Sequence, residues 1–93
     1  MRILVIEAVL DLPWCRSLKD KRRQRQRLID RIVHTHKVSV KEVDAHDVWQ
    51  TLILGMAAVV LSEDGGHALA QSLYDLVCQN LNGEIRTWHV EIL

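Results

Sequence analysis

The chain has 93 residues, no net charge, 48% hydrophobic residues and two cysteines. That length allows one small domain, residues 1–93, which buries only about 60% of its unfolded surface and gains from a partner. Cys15 and Cys78 exclude a disulfide framework and read as reduced thiols. The longest uncharged run, Val48–Ser62, is shorter than the roughly 18–20 residues that cross a bilayer as a helix. Glu7 and Asp11 interrupt the apolar N-terminus, which therefore does not read as a signal peptide. A cytoplasmic protein without a membrane partner is the expectation.

Residues 2–12 alternate with period two. Leu4, Ile6, Ala8, Leu10 and Leu12 make one wholly apolar face, and Ile3, Val5, Glu7, Val9 and Asp11 make a mixed one. Pro13 ends this strand, having no amide hydrogen for a ladder. Ser17 then reads as a helix N-cap, with Asp20 three residues later as a variant of the capping box. Leu18, Leu28, Ile29, Ile32 and Val33 share one side of that helix, while Lys19, Arg23, Arg27 and Arg31 lie opposite. Lys21, Arg22 and Arg25 project from the apolar side of the first turns. The helix should stop near residues 34–37.

Val38–Val43 predicts a short edge strand. Gln50–Leu61 predicts a longer, central one, apolar on both faces and interrupted by Gly55, which marks a bulge or a close contact. A second helix begins near Ser62, with Glu63 and Asp64 at its positive end and Gly65-Gly66 weakening its first turn. Leu69, Leu73, Leu76, Val77 and Leu81 form its buried stripe. Asn82-Gly83 closes it, and Glu84–Ile92 is the last strand. The order βαββαβ fits a ferredoxin-like α+β sandwich: a four-stranded antiparallel sheet with both helices on one face. Strands one and three are central in that arrangement, and these are the two with apolar residues on both faces.

The zero net charge hides a division. Eight of the twelve Lys and Arg lie between Arg16 and Arg31, whereas residues from Glu42 onward hold eight acids and one base, Arg86. Such a chain either pairs the two regions internally or presents a basic face to an anionic partner. Internal pairing suits Lys21, Arg22 and Arg25, with Glu7, Glu42, Asp44 and Asp47 as candidate partners. Lys19, Arg23, Arg27 and Arg31 have no such demand, so they form either a solvated face or a phosphate-binding one. Reading of bases by stacking is not expected, because the open sheet face carries aliphatics and the chain has no Phe. Trp49 and Trp88 read as packing residues. That aliphatic face needs a cover, and a homodimer through it is expected.

Other chemistry is weakly signalled. His34 and His36, with His46 and Asp44, match no metal-ligand spacing. Asp44, His46 and Asp47 lack a nucleophile, a phosphate loop or a cofactor motif beside them. Cys15, next to Arg16, has a thiolate somewhat favoured by charge. No cofactor, no metal and no enzymatic activity are expected.

Four segments carry a family resemblance: Ser17-Leu-Lys-Asp-Lys-Arg22, Val38-Ser-Val-Lys-Glu-Val-Asp44, Asp47-Val-Trp-Gln50 and Leu54-Gly-Met-Ala57. At these spacings the chain closely resembles the YlxP family of small bacterial proteins over nearly its whole length. The resemblance implies a ferredoxin-like fold and no established activity. It also implies an association with RNA or ribosomes, since genes of that family often neighbour those of translation and ribosome-maturation factors. Trp14-Cys15 and Gly65-Gly66 depart from the family pattern without touching the shared segments. The leading expectation is a non-enzymatic accessory protein bound to ribosomal or other structured RNA. The alternative is a dimeric protein-interaction module whose basic helix meets an acidic protein surface.

Overall fold

The computed structural model describes residues 1–93. Six elements follow the chain: β1 (Arg2–Asp11), α1 (Leu18–Thr35), β2 (Ser39–Asp44), β3 (Thr51–Val60), α2 (Glu63–Asn80) and β4 (Glu84–Ile92). The sheet order is β2-β3-β1-β4 and every neighbouring pair is antiparallel. This is the ferredoxin-like α+β arrangement, with β1 and β3 at the centre.

Period-two burial decides which face is covered. Leu4, Ile6, Ala8, Leu10, Leu52, Leu54, Met56 and Val60 point into the core with Leu28, Ile32, Leu73 and Val77 of the helices. On the other face, Ile3, Val5, Val9 and Ile53 stay half-buried and Val59 is exposed. One sheet face is therefore roofed by both helices and the other is bare. No helix is long and apolar enough to cross a membrane.

Each helix starts at a serine. Ser17 Oγ accepts the Asp20 N–H at 3.1 Å, and Asp20 Oδ2 takes the Arg16 N–H at 3.1 Å, so two amides at the start of α1 find partners. Ser62 Oγ likewise accepts the Gly65 N–H at 3.0 Å. With Glu63 and Asp64 beside the positive end of the dipole, this cap offsets the weak glycine pair.

The buried stripe of α1 differs from the expected one. Val33 is 48% exposed, whereas Lys21, Gln24, Leu28 and Ile32 are buried. These four follow 3-4-4 spacing, the true core-facing line of the helix. Gly55 causes no bulge in β3. The register shift falls between Glu42 and Asp44 on the partner strand, and it tilts Val43 across Gly55. A Cβ there would stand 2.8 Å from Val43 Cγ1, so the glycine makes room for the bulged strand.

Candidate nucleic-acid interface

The basic helix divides its charges between two sides. On the inner side, Lys21 is 1% exposed and its ammonium reaches three groups at the end of β2. It donates to the Ala45 carbonyl at 2.6 Å, approaches the His46 carbonyl at 3.5 Å and lies 2.7 Å from Glu42 Oε2. The last contact is an ion pair off the hydrogen-bond axis, leaving Oε2 buried with no hydrogen-bond donor. Arg25 donates to Glu42 Oε1 at 2.8 Å, and His46 Nδ1 lies 3.5 Å from the same oxygen.

Glu42 is thus the hub of this cluster. Burial opposes its charge, but the close Lys21 ammonium and the Arg25 guanidinium, which donates to it, outweigh burial and hold the carboxyl below its ordinary range. The cluster also fixes the loop after β2. Ala45 adopts φ 53°, in the left-handed region, with its N–H bonded to Asp44 Oδ1 at 2.7 Å and its carbonyl held by Lys21. Gln50 Nε2 ties the far end of that loop to the Pro13 and Cys15 carbonyls, at 3.0 and 3.4 Å.

Four residues expected in the internal cluster stand outside it. Arg22 is exposed and pairs with no carboxylate, because its position turns it past the edge of the buried stripe. Asp44 caps its own loop, and the exposed Asp47 makes no ion pair. Glu7 cannot reach α1 at all, since odd positions of β1 face away from the helices. Sequence reading also missed His46 as a partner of Glu42 and Gln24 as a buried polar residue, whose Nε2 points to the Asn80 carbonyl at 3.5 Å. The spacing of Gln24 from Leu28 and Ile32 held the signal for the latter.

The outer side is different. Lys19, Arg23, Arg27 and Arg31 are all exposed, and neither they nor Arg22 make a salt bridge within the chain. Asp30, the acid among them, accepts a hydrogen bond from Gln26 Nε2 at 2.8 Å instead. Arg23, Arg27 and Arg31 recur every fourth residue, so successive guanidinium stems rise one turn apart, with Cβ atoms about 5–6 Å from each other. Arg27 and Arg31 also border a shallow hollow with Asn80 at the seam between α1 and α2. Like charges at this spacing repel and weaken an isolated helix.

That unpaired row is the most distinctive surface of the molecule, and it lies inside a shared architecture. The chain belongs to the family described as protein of unknown function (DUF503). The match covers residues 3–91, and so all six elements but for the outermost residues of β1 and β4. No curated protein matches the sequence.

The remaining candidates resolve by position. Trp88 packs edge-on against Tyr74 with ring centroids 5.2 Å apart. Trp49 departs from the expectation of packing: it is 49% exposed, because it precedes β3 in the loop and lies beyond the sheet. Trp14 is also partly exposed and donates its indole N–H to the Asn82 carbonyl. Cys15 is fully buried, and burial first, then the charge of Asp20, push its thiol above the ordinary value, against a smaller pull from Lys21. The expected thiolate bias from Arg16 is therefore reversed. His46 sits at the level of Lys21, whereas His34 and His36 lie roughly 20 Å along the helix, too far to share a ligand set.

Proposed function

We propose that this protein is a non-enzymatic accessory factor of the cytoplasm that binds structured RNA, ribosomal RNA included, through the outer face of α1. One observation carries the reading. The inner cations Lys21 and Arg25 are taken up by Glu42, while Lys19, Arg22, Arg23, Arg27 and Arg31 are left without any carboxylate. A row of like charges that stabilises nothing within the chain is best explained by an anion outside it. The resemblance to the YlxP family favours the same partner class.

Phosphate contact is the mechanism this surface supports. Flexible, exposed lysine and arginine side chains neutralise a backbone without reading bases. Base stacking on the sheet has no platform, since Ile3, Val5, Val9 and Ile53 occupy the open central strands. Four phosphate contacts would make affinity fall on the order of 100-fold over a fourfold rise in salt.

The test is a tagged pull-down fractionated on a density gradient at low and high salt, with and without nuclease. An RNA partner gives sedimentation with ribosomal particles that salt and nuclease both abolish. Association that survives nuclease but not salt would overturn the RNA reading and assign the face to an acidic protein surface.

A further inference from the structure

The bare face of the sheet is electrically divided. Register places Lys41, Gly55, Glu7 and His89 side by side across β2, β3, β1 and β4, and places Glu91 beside Val5 in the next row. Lys41 and Glu7 are both exposed and are separated by the width of β3, and no salt bridge joins them. Of the other acids on this side, Asp11 is engaged by Arg86 and Asp44 by the Ala45 N–H, while the exposed Glu84, opposite Asp11 on β4, adds to the acidic flank. One flank of the face is thus basic at Lys41 and the other acidic at Glu7 and Glu91. Between and around them lie Ile3, Val5, Val9, Ile53 and Val59, aliphatic residues with no cover from the chain itself.

We propose that a second copy of this chain packs on this face about a two-fold axis parallel to the strands, laying the acidic flank of each sheet over the Lys41 flank of the other. In aligned packing two sheets keep their strands within about 30° of one another, and only two in-plane axes do so for a symmetric pair. An axis across the strands superposes each flank on itself, setting Glu7 near Glu7 and Lys41 near Lys41. Alternatively it slides the charges onto aliphatics, which leaves them desolvated and unpaired. An axis along the strands exchanges β2 with β4 and β3 with β1, so that opposite charges meet twice, once on each side of the axis. Val43 leans over Gly55, and the hollow bounded by Lys41, Val43, Ala57 and Glu7 is the place that receives the partner's Glu7.

The size of the surface sets the strength. Four strands about 4.8 Å apart and some eight residues long, at about 3.3 Å each, give a face of roughly 500 Å² per protomer. Counted on both protomers this is about 1,000 Å², below the roughly 1,200–2,000 Å² that stable specific interfaces bury and within the range of weak, transient ones. A reversible dimer whose specificity comes from the charge pairs fits this area.

The experiment is analytical ultracentrifugation of nuclease-treated full chain as wild type, Glu7→Lys, Lys41→Glu, and an equimolar mixture of the two variants. Both sites are exposed, so both variants fold. The expected result is a concentration-dependent wild-type dimer, with each single variant weakened at least about 100-fold because two reciprocal pairs become repulsive. The mixture should recover wild-type association. In the mixed pair the lysine introduced at position 7 meets the glutamate introduced at position 41, while the unchanged Lys41 of one copy meets the unchanged Glu7 of the other. A wild type that stays monomeric at millimolar concentration overturns the dimer. A wild-type dimer that the single variants leave intact, or that the mixture fails to restore, overturns this axis and moves the contact to another surface such as the β4 edge.

Discussion

The Lys21 ammonium and the Glu42 carboxylate meet at 2.7 Å with only 1% and 5% of their side chains exposed. Removing one side of a buried ion pair strands the other, at a cost of about 3–5 kcal/mol. Glu42→Ala is therefore expected to lose that much, because Lys21 then keeps only the Ala45 and His46 carbonyls. Lys21→Met should lose less, since Arg25 and His46 still attend Glu42. The Lys21→Met, Glu42→Met double variant should be more stable than the sum of the singles predicts, as read from urea midpoints in a double-mutant cycle.

Acid should act on the same carboxylate. Its folded-state pKa lies below the ordinary value of 4.5, so its contribution is fully present above that value. The contribution is lost as pH falls through the lower, folded-state value. Wild type should therefore lose thermal stability faster than Glu42→Gln on acidification, and the gap between them should narrow. Equal slopes of melting temperature against pH would contradict this.

A Cβ at Gly83 would stand 2.0 Å from the Asp11 carbonyl oxygen, a backbone atom of the central strand that cannot swing aside. Gly83→Ala is expected to force the α2–β4 turn outward and to cost about 1–3 kcal/mol. Asn82→Ala next to it keeps the carbonyl that receives the Trp14 indole, and should stay within about 0.5 kcal/mol of wild type. Denaturant midpoints for the two variants check this contrast.

The outer face of α1 should be separable from stability. Arg23→Glu with Arg27→Glu touches no carboxylate partner, so the melting transition should stay near that of wild type. The same variant should lose binding to structured RNA in a filter assay at low salt. Loss of folding would show that the row has a structural role after all.

The two thiols should report the fold directly. Cys15 is buried and Cys78 is exposed. A thiol reagent should modify one group per chain under native conditions and two in urea.

Local pattern was enough for much of this. Alternation over residues 2–12 and apolar runs in 50–61 identified the central strands, because a side chain every second residue must face one layer or the other. Ser17 and Ser62 announced both helices, since a cap is a contact within three residues and is visible in the chain itself. The concentration of base in α1 is likewise a matter of counting. What needed the tertiary structure was the fate of each charge. Lys21 and Arg22 are neighbours of the same type, yet one is buried against Glu42 and the other faces water. A rotation of 100° about a helix axis divides them, and the packing of α1 on β2 decides which way that rotation points. Glu7 and Lys41 show the same limit, because their common face exists only once β2 and β1 flank β3. Charge is a property of the residue, but pairing is a property of distance, and distances between remote segments are set only when the sheet closes its register.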